Sequence, residues 1–313
     1  MDKILKLSEP VKGQAFNTRA TVELPIGPRY HRLMFEVQVK AATSKTVALG
    51  EVLQLINLKC NGTSQRQILA TELEHINTLN GANFAYVLDN GAGGSTSAAS
   101  VHRFILPMFF SEPWRKGWAA QESRALKTSW SDGSHLNSLQ LEFDIPAASA
   151  NIDSSVAPSL KVWTLTDAVA GGIDSNKQPI ANLSKYYRLF EPFTATGDLY
   201  LTRFPKRHAY EAIHLNTPSD TISNVKITVD SVIKRDASKT ANDRSLGYYD
   251  MNQAGLSANW FDVVFDMSDL VEDALFMTTS TGVAVQDFQI IPTLASANGS
   301  GINVVSIVYG PLD

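Results

Sequence analysis

The sequence predicts an all-β protein whose strand pattern occurs twice along the chain. Strand-length apolar segments recur from end to end, helix signals are few and short, and several motifs of the first half return in the same order in the second. With 313 residues, 44% of them hydrophobic, the chain is long enough for two domains with substantial cores.

The first half carries one series of predicted strands. A short strand at 21–24 leads into a break with two prolines at 25–28. Residues 33–40 then place an apolar side chain at every second position, which predicts a half-buried strand. Further strand-length segments follow at 52–60, 101–110, 138–145 and 159–166.

Two short helices are expected in the loops of this half. Thr71 and Glu74 have the spacing of a capping box and predict a helix over 72–79. A polar segment that begins at Ser111 predicts a second helix through Leu126. Both helices are too short to change the all-β assignment.

The second half carries a similar series. Its predicted strands are 198–204, 209–216, 222–233, 260–267, 284–291 and 302–309. The segment between the two series, 169–197, contains paired glycines and two prolines around an aromatic stretch. We therefore expect one domain at 1–168, a second at 198–313, and a linker at 169–197 that packs between the halves.

Three motif matches indicate an internal duplication. Pro25 precedes Tyr30 by five residues, and Pro205 precedes Tyr210 by the same five, with apolar residues at the same later spacings. The other two matches pair 109–112 with 265–269, and 143–151 with 289–298. The offset between partners falls from 180 at the prolines through 157 at Ser111 and Ser268 to 147 at the asparagines, as expected if loops lengthened unequally.

The duplication predicts a particular architecture. Each half has enough strands, separated by long connections, for a two-sheet sandwich of jelly-roll type, so the chain would be a double jelly roll with short helices in its loops. Three such chains around a threefold axis would present six similar blocks and imitate a hexagon. Hexagonal blocks can tile a closed shell.

Composition excludes several functions. The net charge of −4 argues against direct nucleic-acid binding, which needs a basic surface. Cys60 is the single cysteine and lies in an apolar strand pattern, so we expect it in a core and exclude a Cys/His zinc cage. Apolar runs fall short of the ~20 residues that span a bilayer, and we expect no cleaved leader.

No catalytic or cofactor-binding residue is assigned. Glu142 and Asp144 share one strand face ~7 Å apart, a spacing known among inverting glycosidases. With Trp114, Trp118 and Trp130 as a sugar platform, a carbohydrate-binding or glycoside-cleaving sandwich is the alternative function. The ordinary interpretation is that the two carboxylates face solvent and that Trp114 and Trp118, four residues apart, pin a helix to a sheet.

The sequence does not identify residues that would bind a metal ion. His208 and His214 are six residues apart, so on one strand they would lie about 20 Å apart and could not share an ion. A cluster of acidic residues in the second half lacks the ligand spacing of a calcium-binding loop. We therefore interpret these residues as the solvent-exposed start of a helix. This acidic set comprises Asp262, Asp266, Asp269, Glu272 and Asp273.

Short motifs carry a resemblance to a known family. The LPIG at 24–27 with Tyr30, the FDI at 143–145 and the RFP at 203–205 resemble segments of double jelly-roll major capsid proteins from tailless icosahedral phages with an internal membrane. The corticovirus type is most similar, and tectivirus coats and adenovirus hexon share the architecture. The resemblance covers about residues 14–310.

The resemblance implies a structural protein of the virion capsid, not an enzyme. Homotrimeric, pseudo-hexameric capsomers would tile an icosahedral shell around an internal membrane after assembly in the host cytoplasm. Expected partners are copies of the chain, penton proteins, and minor capsid or membrane proteins. Some relatives hold structural calcium. Lys3, Lys6 and Lys12 flank apolar residues at an N-terminus that would contact anionic lipid or a neighbouring capsomer, or would fray. A minor spike or vertex protein is a further alternative.

Overall fold

A computed structural model gives the fold of the chain. It describes residues 2–43, 45–81, 101–115, 117–206, 208–217, 222–248, 251, 259–266, 273–278, 283–296 and 301–312. The chain divides into two compact units: the first comprises Met1–Leu183 with Pro311–Asp313, and the second comprises Ser184–Gly310.

The first unit is a sandwich of two four-stranded sheets. Its strands are β1 (Ile4–Leu7), β2 (Thr18–Glu23), β3 (Arg29–Lys40), β4 (Leu55–Cys60), β5 (Thr63–Leu69), β6 (Val101–Phe109), β7 (Leu139–Ile145) and β8 (Ser159–Asp167). One sheet has the order β1-β8-β3-β6 and the other β2-β7-β4-β5. All the strand pairs in these two sheets are antiparallel.

The alternation of apolar and polar residues along the strands builds the core of the first unit. Phe35 on β3 and Phe143 on β7 are both fully buried, although they belong to different sheets. Their rings meet edge to face with centroids 5.2 Å apart. The alternate side chains of β7 point outward, because neighbouring residues of a strand face opposite sides of the sheet. The two apolar faces therefore form one core between the sheets.

The second unit has the same construction. Its strands are β9 (Asn182–Glu191), β10 (Gly197–Asp198), β11 (Ala209–Asn216), β12 (Ile222–Val229), β13 (Val232–Ser238), β14 (Trp260–Val264), β15 (Leu275–Phe276), β16 (Phe288–Leu294) and β17 (Ile302–Pro311). One set of strands has the order β9-β17-β11-β14, with β15 also pairing to β11, and the other has the order β10-β16-β12-β13. In its core, Phe288 packs against Tyr210 and Phe204 with ring centroids 4.9 and 5.6 Å away.

Both units therefore have one connectivity. When the strands of each unit are numbered in chain order, with the two-residue β15 left out, the sheets read 1-8-3-6 and 2-7-4-5 in both. This is the strand order of a jelly roll. The predicted double jelly roll is confirmed.

The helices differ from the sequence prediction in their starts. The helix predicted at 72–79 is α1 (Ala70–Leu79), and Glu72, not Glu74, closes its start by accepting the Leu69 N–H at 2.9 Å. The helix predicted from Ser111 is only α2 (Trp118–Glu122). A third helix, α3 (Lys239–Tyr248), directly follows β13, as α1 directly follows β5.

The segment expected to be a linker contains a strand. Of residues 169–197, the structure places Asn182–Glu191 in β9 and divides the two units after Leu183. Strand β9 is the first strand of the second unit. None of the helices in the described part of the chain has the length and apolar composition of a membrane span.

Candidate functional site: the repeated tyrosine bulge

The proline–tyrosine match of the two halves is a repeated hydrogen bond. Tyr30 Oη donates to the carbonyl oxygen of Pro25 at 2.6 Å, and Tyr210 Oη donates to that of Pro205 at 2.7 Å. Both tyrosines are almost fully buried, and burial raises the pKa of each hydroxyl. The neutral hydroxyls are donors that tie the start of the third strand to the preceding turn in both units.

A β-bulge follows each tyrosine. The registers of β3 against β8 and of β11 against β17 shift at His31 and Glu211, the residues after the two tyrosines. The backbone N–H of Phe110 donates to the His31 carbonyl, and that of Phe265 donates to the Glu211 carbonyl, both at 2.9 Å. Phe110 thus corresponds to Phe265 at an offset of 155, rather than the predicted 157. Ser268, the predicted partner of Ser111, lies outside the described residues.

The third predicted match is displaced by a few residues. Phe143 pairs with Ile56 in the first unit, and Pro292 pairs with Val225 in the second. Ile56 and Val225 lie the same number of residues before the turns at 61–62 and 230–231, which end their strands. Phe143 and Pro292 are therefore equivalent. The predicted match of 143–151 with 289–298 aligned Pro146 with Pro292, and this alignment was wrong, because Pro146 follows its strand while Pro292 lies inside β16.

The hairpins joining the fourth and fifth strands were not predicted, yet they also repeat. Their central residues are Asn61-Gly62 and Asp230-Ser231, with φ angles of 52°, 80°, 47° and 66°. Positive φ at both central positions is the signature of a type I′ turn, which suits the twist of a hairpin. Asn-Gly was a signal available in the sequence, whereas Asp-Ser seldom adopts this conformation.

We expect removal of the tyrosine hydroxyls to destabilise both units. Tyr30→Phe and Tyr210→Phe should each lower the free energy of unfolding by about 1 kcal/mol, the usual net value of one hydrogen bond. Chemical denaturation of each variant measures the effect. Tyr200→Phe is the control, since that ring is 62% exposed and its change should stay within about 0.5 kcal/mol. Equal stability of all three variants would contradict the structural role.

A buried polar network lies beside the bulge of the first unit. His31 Nδ1 is 2.6 Å from Ser111 Oγ, and His31 Nε2 donates to Asp167 Oδ2 at 2.9 Å. Arg29 binds the same carboxylate through two nitrogens at 3.0 and 2.5 Å, and it also donates to Glu122 at 2.9 Å. The network joins β3, β8, α2 and the segment after β6.

The network has the residue types of a hydrolase triad but a structural arrangement. Ser111 and His31 border a cavity of about 100 Å³. However, Asp167 is neutralised by a bidentate guanidinium, and the bonds of Arg29 and His31 hold the pKa of that carboxyl below its usual range. The second unit does not repeat the set, since Glu211 stands at the position of His31. The arrangement cross-links strands, and nothing in the residue spacing predicted it.

The buried histidine predicts acid sensitivity. Burial lowers the pKa of His31, so below about pH 6.5 the unfolded chain binds a proton that the folded chain excludes. The free energy of unfolding should therefore fall as pH drops through 6.5 towards the folded pKa, with a contribution from His31 of at most about 1.4 kcal/mol per pH unit. Denaturation at several pH values measures this slope, to which buried His102 also contributes.

Two variants separate the histidines. His31→Gln should flatten the slope below about pH 6.5 while keeping an amide that can donate to Asp167. His102→Gln should remove a separate share. A slope that His31→Gln leaves unchanged would mean that His31 does not titrate as the structure implies.

Glu142 and Asp144 lie on the outward face of β7 and form ion pairs. The alternation of polar and apolar residues in this strand had indicated the outward position. Lys59 Nζ donates to Glu142 at 2.6 Å, and Arg19 Nε donates to Asp144 at 2.7 Å. Leu141, on the other face of β7, is fully buried. Because both carboxylates are held by cations, they are not arranged as a free acid and base.

The three tryptophans of the proposed sugar platform have different environments. Trp130 is only 6% exposed and donates to the carbonyl of Ile180 at 3.3 Å. Trp114 packs edge to face on Phe109 with centroids 5.3 Å apart. Trp118 is 73% exposed, so the prediction that it pins a helix was wrong: α2 begins at this residue and leaves it in solvent.

The acidic set does not form one solvated helix start. Asp262 is buried inside β14, where it accepts a hydrogen bond from His214 Nδ1 at 2.7 Å. Asp266 is also buried, whereas Asp273 is exposed. Asp269 and Glu272 lie outside the described residues. Cys60 is buried in β4, as expected.

The N-terminal lysines lie next to a strand. Residues 4–7 pair with β8, and Lys3 Nζ is 2.7 Å from Glu122. The backbone at Lys12 forms a bridge to Thr21. The N-terminal segment is therefore part of the first unit rather than a frayed end. Lys6 lies on the exposed strand β1.

Comparisons with known proteins assign the two units to one family. Residues 5–167 match the model of the viral coat protein P2 N-terminal domain, and residues 183–310 match that of the viral coat protein P2 C-terminal domain. No curated protein sequence matches the chain.

Solved structures with the same fold cover nearly the whole chain. The major capsid protein P2 from Bacteriophage PM2 is 16% identical, with 99% of this chain and 97% of that chain covered and a TM-score of 0.71. The STIV MCP is 10% identical, with 100% and 97% covered and a TM-score of 0.72. The PBCV-1 virus capsid is 10% identical, with 98% and 93% covered and a TM-score of 0.64.

Proposed function

The chain belongs to the viral coat protein P2 family, and we propose that it is the major capsid protein of an icosahedral virion with an internal membrane. As a viral coat protein it is structural rather than enzymatic, and it is located in the virion capsid. In the proposal, three chains form one pseudo-hexameric capsomer, and many capsomers tile the shell.

One observation carries the proposal: a single chain contains the same eight-strand order twice. Three chains around a threefold axis would supply six units of similar build, so a trimer can imitate sixfold geometry. Blocks of that outline fill a surface without gaps. A coat protein needs broad side contacts of this kind, and the low charged fraction of 19% suits interfaces that bury few unpaired charges.

The neighbours support the type of particle. The solved structures with this fold include the major capsid protein P2 from Bacteriophage PM2 and a chain in the atomic structure of Sulfolobus Turreted Icosahedral Virus. By this likeness we propose a phage, with assembly in the host cytoplasm. Penton proteins would plug the fivefold positions, and minor capsid or membrane proteins would lie below the shell. The net charge of −4 supports a coat without direct nucleic-acid contact.

The mass of the purified protein tests the trimer. Light scattering coupled to gel filtration should give about 103 kDa, three times the 34.2 kDa of the chain. A stable 34.2 kDa monomer over a wide range of concentration would overturn the proposal.

The lipid content of purified virions tests the internal membrane. Phospholipid should co-purify with the coat protein through a density gradient, and an organic solvent should extract it with loss of infectivity. Infectious particles that contain no lipid would refute the internal membrane and leave the coat function intact.

A further inference from the structure

Structurally equivalent strands of the two units differ in exposure. In jelly-roll order, the first strand is β1 in the first unit and β9 in the second, and the fifth strand is β5 in the first unit and β13 in the second. Each lies at the end of the sheet order within its own unit, among the residues the structure describes. An edge strand presents unpaired backbone groups that can bind another strand.

Two of these four strands are exposed and carry apolar side chains. All four residues of β1 are exposed, and Ile4, Leu5 and Leu7 are 60%, 52% and 43% exposed. No residue of β13 is buried, and Val232 and Ile233 are 56% and 53% exposed. Large exposed apolar side chains on an open edge are an aggregation hazard unless another surface covers them.

The other two strands are partly buried within the chain. In β9, the four consecutive residues 183–186 are buried, including Lys185 at 0% exposure. In β5, Gln65, Arg66 and Ile68 are buried at 0–1% exposure. One copy of the first strand and one copy of the fifth strand are thus covered, while the equivalent copy of each is not.

We propose that a second copy of this chain covers them: β13 of one subunit lies against β1 of the next subunit in the capsomer. The inference rests on the proposed trimer. A closed ring joins each unit to the next through two different surfaces, so every contact is head to tail. The first and fifth strands are two different edges, and each is exposed once per chain. Three identical contacts of this kind close a ring of three chains.

Apolar residues, rather than net charge, would hold this contact together. Strand β1 carries Lys6, whereas β13 carries exposed Lys234, half-buried Arg235 and exposed Asp236. The apolar residues of both strands would supply the buried centre, and Asp236 is the one residue of β13 whose charge is opposite to that of Lys6 at the rim.

Cysteine cross-linking tests the contact. A chain with Leu5→Cys and Ile233→Cys is treated with a short bis-maleimide and separated on a denaturing gel. The expected result is a ladder of one, two and three linked chains, because each subunit joins the next. Leu7→Cys with Val232→Cys is a second pair, so that one badly oriented pair does not decide the outcome. Native Cys60 is buried and should not react.

Matched controls define the contact as heterologous. Neither single variant should cross-link alone, whereas a mixture of the two single variants should give linked pairs only. Val156→Cys with Ile233→Cys, at another exposed position, should give no ladder. A ladder from Leu5→Cys alone would mean that two β1 strands meet, which would overturn the proposed pairing.

The outcomes separate this inference from the proposed function. A trimeric mass without cross-links from either pair would overturn the strand contact and leave the capsomer standing. A monomeric mass would overturn the capsomer itself. If anionic vesicles, but not trimer formation, protected Leu5→Cys from maleimide, β1 would be a lipid contact and the proposal would fail.

A charge substitution gives an independent readout. Ile233→Asp changes an exposed side chain, so the monomer should fold normally. Burying that carboxylate against β1 should raise the concentration at which trimers dissociate by about tenfold or more. Val156→Asp is the matched control and should leave this concentration unchanged. An unaltered midpoint for Ile233→Asp would contradict the contact.

Discussion

Replacing Asp167 by alanine is expected to lower the free energy of unfolding of the first unit by about 3–5 kcal/mol. The side chain is 2% exposed and accepts hydrogen bonds from Arg29 at 3.0 and 2.5 Å and from His31 at 2.9 Å. In the alanine variant, the Arg29 guanidinium, which is only 12% exposed, would keep its ion pair with Glu122 but lose the one with Asp167. Denaturation followed by tryptophan fluorescence measures the change, since four of the five tryptophans belong to the first unit.

A partly exposed ion pair provides the control for Asp167. Lys40 Nζ is 2.7 Å from a carboxylate oxygen of Asp153, and these side chains are 34% and 26% exposed. Lys40→Ala removes this pair but leaves the two hydrogen bonds from Ser155 to Asp153, so it should cost below about 1 kcal/mol. Similar losses for Lys40→Ala and Asp167→Ala would show that burial does not set the strength of the network.

Truncating Phe143 to alanine should cost about 3–5 kcal/mol through the cavity it leaves. Its ring is fully buried between the two sheets of the first unit and meets Phe35 edge to face. Phe288→Ala should have a similar effect in the second unit, where that ring contacts Phe204 and Tyr210. The change in denaturation midpoint at constant slope measures both.

The matched control for the core variants is Tyr200→Ala. This ring is 62% exposed, so the substitution should change the free energy of unfolding by no more than about 0.5 kcal/mol. If Phe143→Ala were as stable as Tyr200→Ala, the two sheets would not share the core that the structure shows.

The sequence predicted the strands whose apolar residues face the core. Strand β11 has the predicted bounds of 209–216, and β3 and β7 follow their period-two patterns. The proline–tyrosine spacing gave the equivalence of Tyr30 and Tyr210 correctly. These features are local, so a single sequence contains the information that specifies them.

Strands without an apolar face were missed. Strands β1 and β13 have no buried residue, so hydrophobic periodicity carries no signal for them. In β5 and β9, buried Arg66 and Lys185 give an apparently polar pattern. The turn at Asp230-Ser231 was also invisible, and the predicted strand 222–233 merged β12 with the start of β13.

The polar network could not be predicted because its members are far apart in sequence. His31 and Asp167 are separated by 136 residues, and His31 and Ser111 by 80. Only the pairing of β3 with its neighbours brings them together. The sequence separation between equivalent residues of the two halves could not be predicted accurately either, because the lengths of the loops leave no periodic signal in the sequence.

Electron microscopy of the purified oligomer tests the central claim most directly. Three chains with two similar units each should give averages with threefold symmetry and a six-lobed, near-hexagonal outline. An oligomer with another symmetry, or one with three lobes only, would contradict the account, because two copies of one sandwich per chain would then not build a hexagonal block.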